Sequence, residues 1–318
     1  LKKGMEKGIK ESFQEALIAF AKDDLGDSLR LVFYDVTTLY FETFNSDPDL
    51  KEIKGLRKCG FSKDSKSNQP QILIALVVNS DGYPIASNIF EGNKFEGHTI
   101  IPVILALKKR HQIKNLTVVA DAAMLSKDNM EELNRNNLNY IVGARLSNLP
   151  QKLLKQISNK IKDQPGIFFK TKTENNKLGY LICDFSNLRA LKDRSDRKKQ
   201  LLKAQKQIDN PARYLKRSRF VTETTRSVFE LNQELIAQDQ LLDGVKGYYT
   251  NLEDIDSGLI VARYHDLWKI EKAFRIAKSD LLARPIFHRK RANIEAHILI
   301  VFISLCIAKS IELKTGVS

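Results

Sequence analysis

Three acidic residues, far apart in the sequence, have the types and settings best suited to chemistry. Asp35 lies in the middle of a predicted strand, Asp121 directly follows the apolar segment LTVVA, and Glu271 lies in a predicted helix. Carboxylate oxygens are hard donors that suit Mg²⁺ or Mn²⁺ better than zinc. Two such ions, about 3.5–4 Å apart, would activate water or a 3′-hydroxyl and stabilise the leaving oxygen at phosphorus. The three acids therefore predict a two-metal phosphoryl-transfer site.

Each acid also has an ordinary structural interpretation. Asp35 could lie on the solvated face of an edge strand, and Asp121 could cap a turn or a helix. Glu271 stands four residues before Arg275, which is the spacing of a helix salt bridge. The chemical interpretation requires the two strands to be neighbours and the Glu271 helix to lie beside them.

The hydrophobic pattern predicts the elements that would position these acids. Three strands form a meander, with Asp81-Gly82 as a hairpin turn, and helix, strand, helix and strand follow. This order predicts an α/β fold, a ribonuclease-H-like mixed five-stranded sheet flanked by helices on both faces. The predicted strands cover 31–41, 71–79, 83–90, 116–120 and 140–144, and the predicted helices cover 98–109 and 126–136.

The pattern changes after the fifth strand, which predicts a partly β insertion domain before the last catalytic helix. We expect a helical segment over 1–30, the first part of the core over 31–145, the insertion over 146–250, and the C-terminal helices of the core over 251–318. Within the insertion, strands are predicted over 167–171, 178–185 and 220–230, and a basic helix over 187–207. The core resumes at Ser257, a candidate N-cap, with one long helix to about residue 281 that carries Glu271.

The net charge favours a polyanionic partner. The chain has 52 Lys+Arg against 38 Asp+Glu, a formal net charge of +14. Positive charge is concentrated over 189–219, which has 12 Lys/Arg against 3 Asp, and over 263–291, which has 9 Lys/Arg against 3 acids. A basic protein without a nucleic-acid role is the alternative, and the first run could be only a solvated helix face.

The cysteines and apolar runs indicate the compartment. Cys59, Cys183 and Cys306 are far apart, which favours a reducing environment and argues against a disulfide framework or a structural zinc site. No signal peptide is visible, and the longest apolar run, 298–308, is shorter than the ~18 residues of a membrane span. We therefore expect a cytoplasmic protein with no membrane partner. Because the first residue is Leu1, we expect a fragment that lacks upstream residues.

The chain resembles insertion-sequence transposases of the DDE superfamily, in the branch around insertion sequence four. Their late helix carries a signature of tyrosine, two residues, arginine, three residues, glutamate, six residues and lysine. Tyr264, Glu271 and Lys278 match it in type and spacing, whereas the arginine position holds Leu267. The segments YDVTTLYFE, VVADAAMLS, DGVKGYYTNLE and RPIFHRKRANIEAHILIVFI are also similar to the family, so the resemblance spans roughly 31–305.

This resemblance implies a role for each matching residue. Asp35, Asp121 and Glu271 would be the catalytic metal ligands, and Tyr264 and Lys278 would contact DNA phosphates near the transposon end. Arg263 or Arg275 would compensate for the missing arginine, although neither lies at the expected step. The predicted DNA contacts are Tyr264, Lys278, Arg275, Arg263, His288 and Arg289.

The function predicted on this basis is metal-dependent cleavage and strand transfer of an insertion sequence by a DDE transposase. Two Mg²⁺ or Mn²⁺ ions are the expected cofactors. Double-stranded DNA, as transposon ends and as target, is the expected partner, and the family implies a homodimer in the active complex. Two alternatives stay open: a ribonuclease-H-like nuclease that only hydrolyses, and an inactive DNA-binding remnant of a transposase.

Overall fold

The computed structural model describes most of the chain, and it divides into two compact units. The described residues are 8–49, 54–62, 66–124, 126–173, 179–211, 216–224 and 228–317. Unit 1 comprises Leu1–Val142 and Ala262–Ser318, and unit 2 comprises Gly143–Val261. Residues 1–7 of the predicted helical segment lie outside the described residues.

Unit 1 contains the five predicted strands in the order β3-β2-β1-β4-β5. Strand β1 pairs antiparallel with β2 and parallel with β4, and β4 pairs parallel with β5. Val, Ile, Leu and Ala fill β2 and β4, and all residues of both strands are buried, as expected for strands covered on both faces. The strands are β1 Leu31–Tyr40, β2 Gln71–Val78, β3 Pro84–Glu91, β4 Thr117–Ala120 and β5 Asn139–Ala144.

Helices cover both faces of this sheet. On one face, Thr37 and Leu39 of β1 line a small cavity together with side chains of the late helices, including Phe274 and Phe302. On the other face, the Tyr34 hydroxyl donates to Thr99 Oγ1 at 2.6 Å, directly before a helix. The helices that lie wholly or partly in unit 1 are α1 Ile9–Asp23, α2 Ile100–His111, α3 Lys127–Arg135, α7 Ser257–His265, α8 Trp268–Ser279 and α9 Arg291–Thr315. The ribonuclease-H-like fold predicted from the sequence is thus confirmed.

The helix expected from Ser257 to about residue 281 is wrong in one respect, because it is two helices. Helix α7 begins at Ser257 and crosses from unit 2 into unit 1, and α8 begins at Trp268. Between them, Leu267 N donates to Tyr264 O and Ile270 N to Leu267 O, which are three-residue steps that tighten the turn. The cap also differs from the expectation, since Asp256 Oδ1 accepts from Leu259 N at 3.0 Å.

Unit 2 contains three strands that pair with one another and a hydrophobic core of its own. Its strands β6 Phe169–Lys172, β7 Tyr180–Phe185 and β10 Val245–Thr250 pair antiparallel in the order β10-β7-β6. The strand predicted over 220–230 is instead an antiparallel pair, β8 Val221–Glu223 and β9 Phe229–Leu231. Helices α4 Gln151–Ile161, α5 Asn187–Asp209 and α6 Gln233–Leu241 complete the unit, and Leu154, Ile157 and Ile161 of α4 belong to its core.

Helix α9 bears on the expectation that no membrane segment is present. The apolar run 298–308 continues into a helix of 25 residues, whose most apolar window has a mean hydropathy of 2.0 and is 33% buried. By length and composition, this helix could cross a membrane, although a core helix of a soluble protein passes the same test. Helix α9 contacts β3 and α8 in unit 1. The absence of a membrane partner stays a prediction.

Candidate active site

Asp35 and Asp121 lie at neighbouring positions in the sheet. In the parallel pair β1 and β4, Tyr34 is the register partner of Ala120, so the next residue of each segment is an aspartate. Strand β1 is flanked by β2 and β4, so the edge-strand interpretation of Asp35 does not hold. Asp121 therefore directly follows the carboxyl end of β4, next to Asp35 in the middle of β1, and α/β sheets place ligand sites at such carboxyl ends.

Both aspartates hold short local hydrogen bonds. Asp35 Oδ1 accepts from Val36 N at 2.7 Å, and Asp121 Oδ1 accepts from Ala122 N at 2.6 Å. Asp121 also begins a turn, since Met124 N donates to its carbonyl oxygen. The turn-capping interpretation of Asp121 is therefore partly true, and it fixes the direction of the carboxylate.

Tyr264 of helix α7 contacts one of these two aspartates, Asp121. Its side chain is 5% exposed, and its hydroxyl donates to Asp121 Oδ1 at 3.2 Å across 143 residues of sequence. The sequence predicts a contact between this tyrosine and DNA, and it does not reveal the contact with Asp121. The only sequence signal for that contact is the signature itself, which ties Tyr264 to Glu271 by spacing.

Helix α8 lies along the face of β1 that carries Asp35. Residues 33, 35, 37 and 39 share one face of this strand, because side chains alternate. At one end of α8, the Lys269 ammonium lies 6.0 Å from the Phe33 ring centroid. Toward the other end, Lys278 lines a cavity with Thr37 and Leu39. Glu271 is between these two lysines in sequence, so its turn of helix passes at the level of Asp35.

The Glu271 side chain is exposed, on the flank of the face that packs against the sheet. Ile270, Ala273 and Phe274 form the buried face of α8, and the helix contacts β1 and β2. Glu271 and Arg275 are both in the described part of the chain, and they form no ion pair there. The helix salt bridge that could have explained Glu271 is thus not formed.

The three carboxylates are not gathered into a closed cluster. Within the described ranges, no three His, Cys, Asp or Glu side chains come close enough together to hold a metal ion. The convergence predicted from the sequence is therefore seen for the elements, but not for all three side chains. A physical reason is mutual repulsion, which keeps carboxylates apart until cations offset their charge. As a donor set, three carboxylates fit Mg²⁺ or Mn²⁺.

The predicted DNA contacts differ in exposure. Arg275, His288 and Arg289 are exposed, Arg263 and Lys278 are half-buried, and Tyr264 is buried. The segment with His288 and Arg289 follows a parallel bridge between Phe41 and Ile286, at the end of β1. Leu267, at the arginine position of the signature, is 8% exposed and packs in the turn between α7 and α8. No charge therefore replaces the signature arginine at that position.

Two transposases of known structure are similar to this chain. One is the piggyBac transposase in a cryo-EM structure of its synaptic complex with hairpin DNA, with 11% identity and a TM-score of 0.42 over 87% of this chain. This chain spans 46% of that one. The other is Mos1 transposase in a paired-end complex with the left transposon end, with 13% identity and a TM-score of 0.23, over 41% of this chain and 40% of that one. No curated protein matches the chain.

One family model matches most of the sequence. The model describes a transposase DDE domain, and it covers residues 29–307, which include the two aspartates, Glu271 and all of unit 2. The chain therefore belongs to the transposase DDE domain family.

Proposed function

We propose that this chain is the catalytic part of a transposase that cuts and joins DNA strands at a site formed by Asp35, Asp121 and Glu271. One observation carries the proposal: the two helices with the signature residues contact the part of the sheet that carries both aspartates. The Tyr264 hydroxyl binds Asp121, and α8 runs along the β1 face of Asp35 with Glu271 at that level. Two Mg²⁺ or Mn²⁺ ions held by the three carboxylates would supply the nucleophile and stabilise the leaving oxygen.

Each side chain of the proposed site has a role that follows from its position. Asp121 directly follows the end of β4 and Asp35 lies beside it in the middle of β1, and their carboxylates accept from Ala122 N and Val36 N. Because Glu271 is exposed and forms no ion pair with Arg275 among the described residues, its carboxylate is available to complete the donor set. The half-buried Lys278, one turn beyond Phe274, would place a positive charge beside the DNA phosphate.

The partner proposed for this site is double-stranded DNA. The net charge of +14 and the exposed Arg275, His288 and Arg289 around the late helices favour a polyanion. Membership of the transposase DDE domain family supports the same partner. A homodimer is proposed for the active complex, in which two transposon ends would be held together.

Strand joining tests the proposal directly. Purified protein is incubated with Mn²⁺, pre-cut transposon ends and a target plasmid, and joined products are counted for the parent, Asp35→Asn and Glu271→Gln. We expect both variants to lose at least about 10³-fold in joining rate, since each removes a ligand of the reacting centre. Glu15→Gln, a neutralised exposed acid on α1, is the matched control and should join at the parent rate.

Each other result has a defined meaning. Equal activity of Glu271→Gln and the parent would remove the site assignment. Cleavage without joining would favour the nuclease that only hydrolyses. Inactivity of the parent with its own end sequences would favour the inactive remnant. Leu267 at the arginine position of the signature is the observation that supports this last alternative.

A further inference from the structure

In helix α5 of unit 2, the arginines and the lysines have different surroundings. The arginines of this helix are engaged by acids: the buried Arg197 donates to Asp243 Oδ2 at 2.7 Å and to Asp239 Oδ2 at 3.2 Å. Arg194 lies 3.4 Å from the same Asp243, and Arg189 lies 3.6 Å from Asp193. The arginine charge is therefore largely offset inside the unit.

Four of the five lysines of α5 point the other way, and the fifth, Lys198, is exposed outside their arc. With 100° of rotation per residue, Lys192, Lys199, Lys203 and Lys206 fall within an arc of about 60°, and we call them the lysine stripe. All four are exposed, while Ala190, Arg197 and Ala204 mark the buried face on the opposite side.

The charge of the lysine stripe is mostly uncompensated. Lys199 has an acidic neighbour, Asp196, at 3.5 Å. Lys192, Lys203 and Lys206 form no ion pair with any residue that the structure describes. A row of like charges on one face of a helix repels itself, so it is favoured only where an external anion offsets it.

The shape of the stripe fits the backbone of a nucleic-acid duplex. From Lys192 to Lys206 it runs about 21 Å at 1.5 Å per residue, straight along a helix of 23 residues. Duplex DNA carries a charge every ~1.7 Å of its axis, so such a row spans several phosphates. Lysine binds phosphate as a point charge and does not read base edges, so binding through this face would not depend on sequence.

We propose that the lysine stripe of α5 is a docking surface for the phosphate backbone of double-stranded DNA, separate from the carboxylate site in unit 1. The inference rests on the proposed function for the identity of the polyanion. Three exposed leucines border the stripe. Leu188 and Leu191 are neighbours on one turn, but Leu202 is about three turns further on, so the three make no continuous apolar face.

Salt-dependent binding tests the proposal without any catalytic step. The binding constant of a mixed-sequence duplex is measured by fluorescence anisotropy over a KCl series, with no divalent metal. The test variant is Lys192→Gln with Lys203→Gln and Lys206→Gln. The control is Lys152→Gln with Lys155→Gln and Lys160→Gln, which removes the same charge from exposed positions of α4 in the same unit.

We expect the slope of log K against log salt to fall by about 2.7 in the test variant, at about 0.9 for each phosphate that a lysine no longer neutralises. The control should change the slope by less than about 1, and the weakening should be equal for two unrelated duplex sequences. Thermal melting of both variants at the parent temperature shows that the fold is intact, which is expected because every substituted lysine is exposed.

Five results would overturn the proposal. Equal slopes for the test variant and the control would show that only total charge matters. A loss confined to one duplex sequence would contradict binding through the backbone. A greater loss of binding to anionic phosphatidylserine vesicles than to DNA would assign the face to a membrane. If the parent binds DNA and the test variant binds equally well, the role of the lysine stripe in DNA binding is refuted, while the proposed function stands. If the parent binds no duplex at any salt concentration, both fail.

Discussion

Replacing Tyr264 by phenylalanine tests whether this tyrosine positions Asp121. The substitution keeps the buried ring, which is 5% exposed, and removes only the hydroxyl that donates to Asp121 Oδ1 at 3.2 Å. A hydrogen bond to a charged acceptor contributes about 1.5–3 kcal/mol. This bond is longer than the usual O–H···O range, so we take the lower figure of about 1.5 kcal/mol, or roughly tenfold.

The assay is single-turnover strand joining over a Mn²⁺ titration. We expect Tyr264→Phe to join about tenfold more slowly at fixed Mn²⁺ and to need more Mn²⁺ for half-maximal rate, because Asp121 keeps only its bond from Ala122 N. The affinity for duplex DNA should not change, since a buried hydroxyl on Asp121 does not touch DNA. A DNA-binding tyrosine would give the reverse pattern, with weaker DNA binding and unchanged metal dependence.

The chain provides a matched control for this substitution. Tyr248 in unit 2 is fully buried, and its hydroxyl donates to Asp184 Oδ1 at 3.0 Å. Tyr248→Phe removes the same kind of bond away from the proposed site and should join strands at the parent rate. A parent-like joining rate and metal dependence in Tyr264→Phe, or equal losses in both variants, would refute the positioning role.

Two further predictions concern stability. Arg197→Met should destabilise unit 2 by about 3 kcal/mol in chemical denaturation, the low end for breaking a buried ion pair, because Asp243, which is 4% exposed, loses its closest partner and keeps Arg194 at 3.4 Å. Lys198→Met, at an exposed position, should stay within about 0.5 kcal/mol of the parent. Burial raises the pKa of Glu312, but hydrogen bonds from Lys309 and Lys272 lower it by more, so the pKa lies below 4.5. The ionised carboxylate therefore stabilises the fold fully above pH 4.5, and this stabilisation is lost as the pH falls through the lowered pKa. Thermal melts of Glu312→Gln should therefore lie below the parent at pH 7, by a contribution of about 0.5–1 kcal/mol, and the difference should shrink as the pH falls below 4.5. A difference that stays constant as the pH falls would contradict the assignment.

The strands of unit 1 were predictable because their patterns are local. The apolar run before Asp121 is a buried parallel strand, and the Asp81-Gly82 turn joins β2 and β3, with Gly82 at φ +79°. Ser126 caps α3 through Asn129 N as its type suggests. These features depend on periodicity and turn chemistry, which a single sequence contains.

The errors in unit 2 arise where tertiary packing overrules local signals. Residue type alone favours turns at both Gly244 and Gly247, but Gly247 is inside β10, where a Cβ would come within 2.5 Å of the Leu146 side chain. Gly244, at φ +77°, is the true turn residue. The sequence contains no sign of the close packing that requires a glycine inside that strand.

In the candidate site, too, some features could be predicted from the sequence and others could not. The acids and the signature were recognisable from residue types and spacing, but the break at Leu267 and the bond from Tyr264 to Asp121 depend on how two helices meet the sheet. The separation of the three side chains was also not predictable, because it depends on rotamers and on charge repulsion.

The division of unit 1 into two stretches of chain has a consequence for biosynthesis. A ribosome completes both aspartates and all five strands of the sheet before it begins the second stretch at Ala262, and unit 2 is made in between. Contacts between residues that are far apart in the sequence form slowly, and domains fold as units during synthesis. If Asp35, Asp121 and Glu271 form the proposed site, a nascent chain has no complete set of acids until α8 leaves the exit tunnel, so we expect it to cut no DNA before that point of translation.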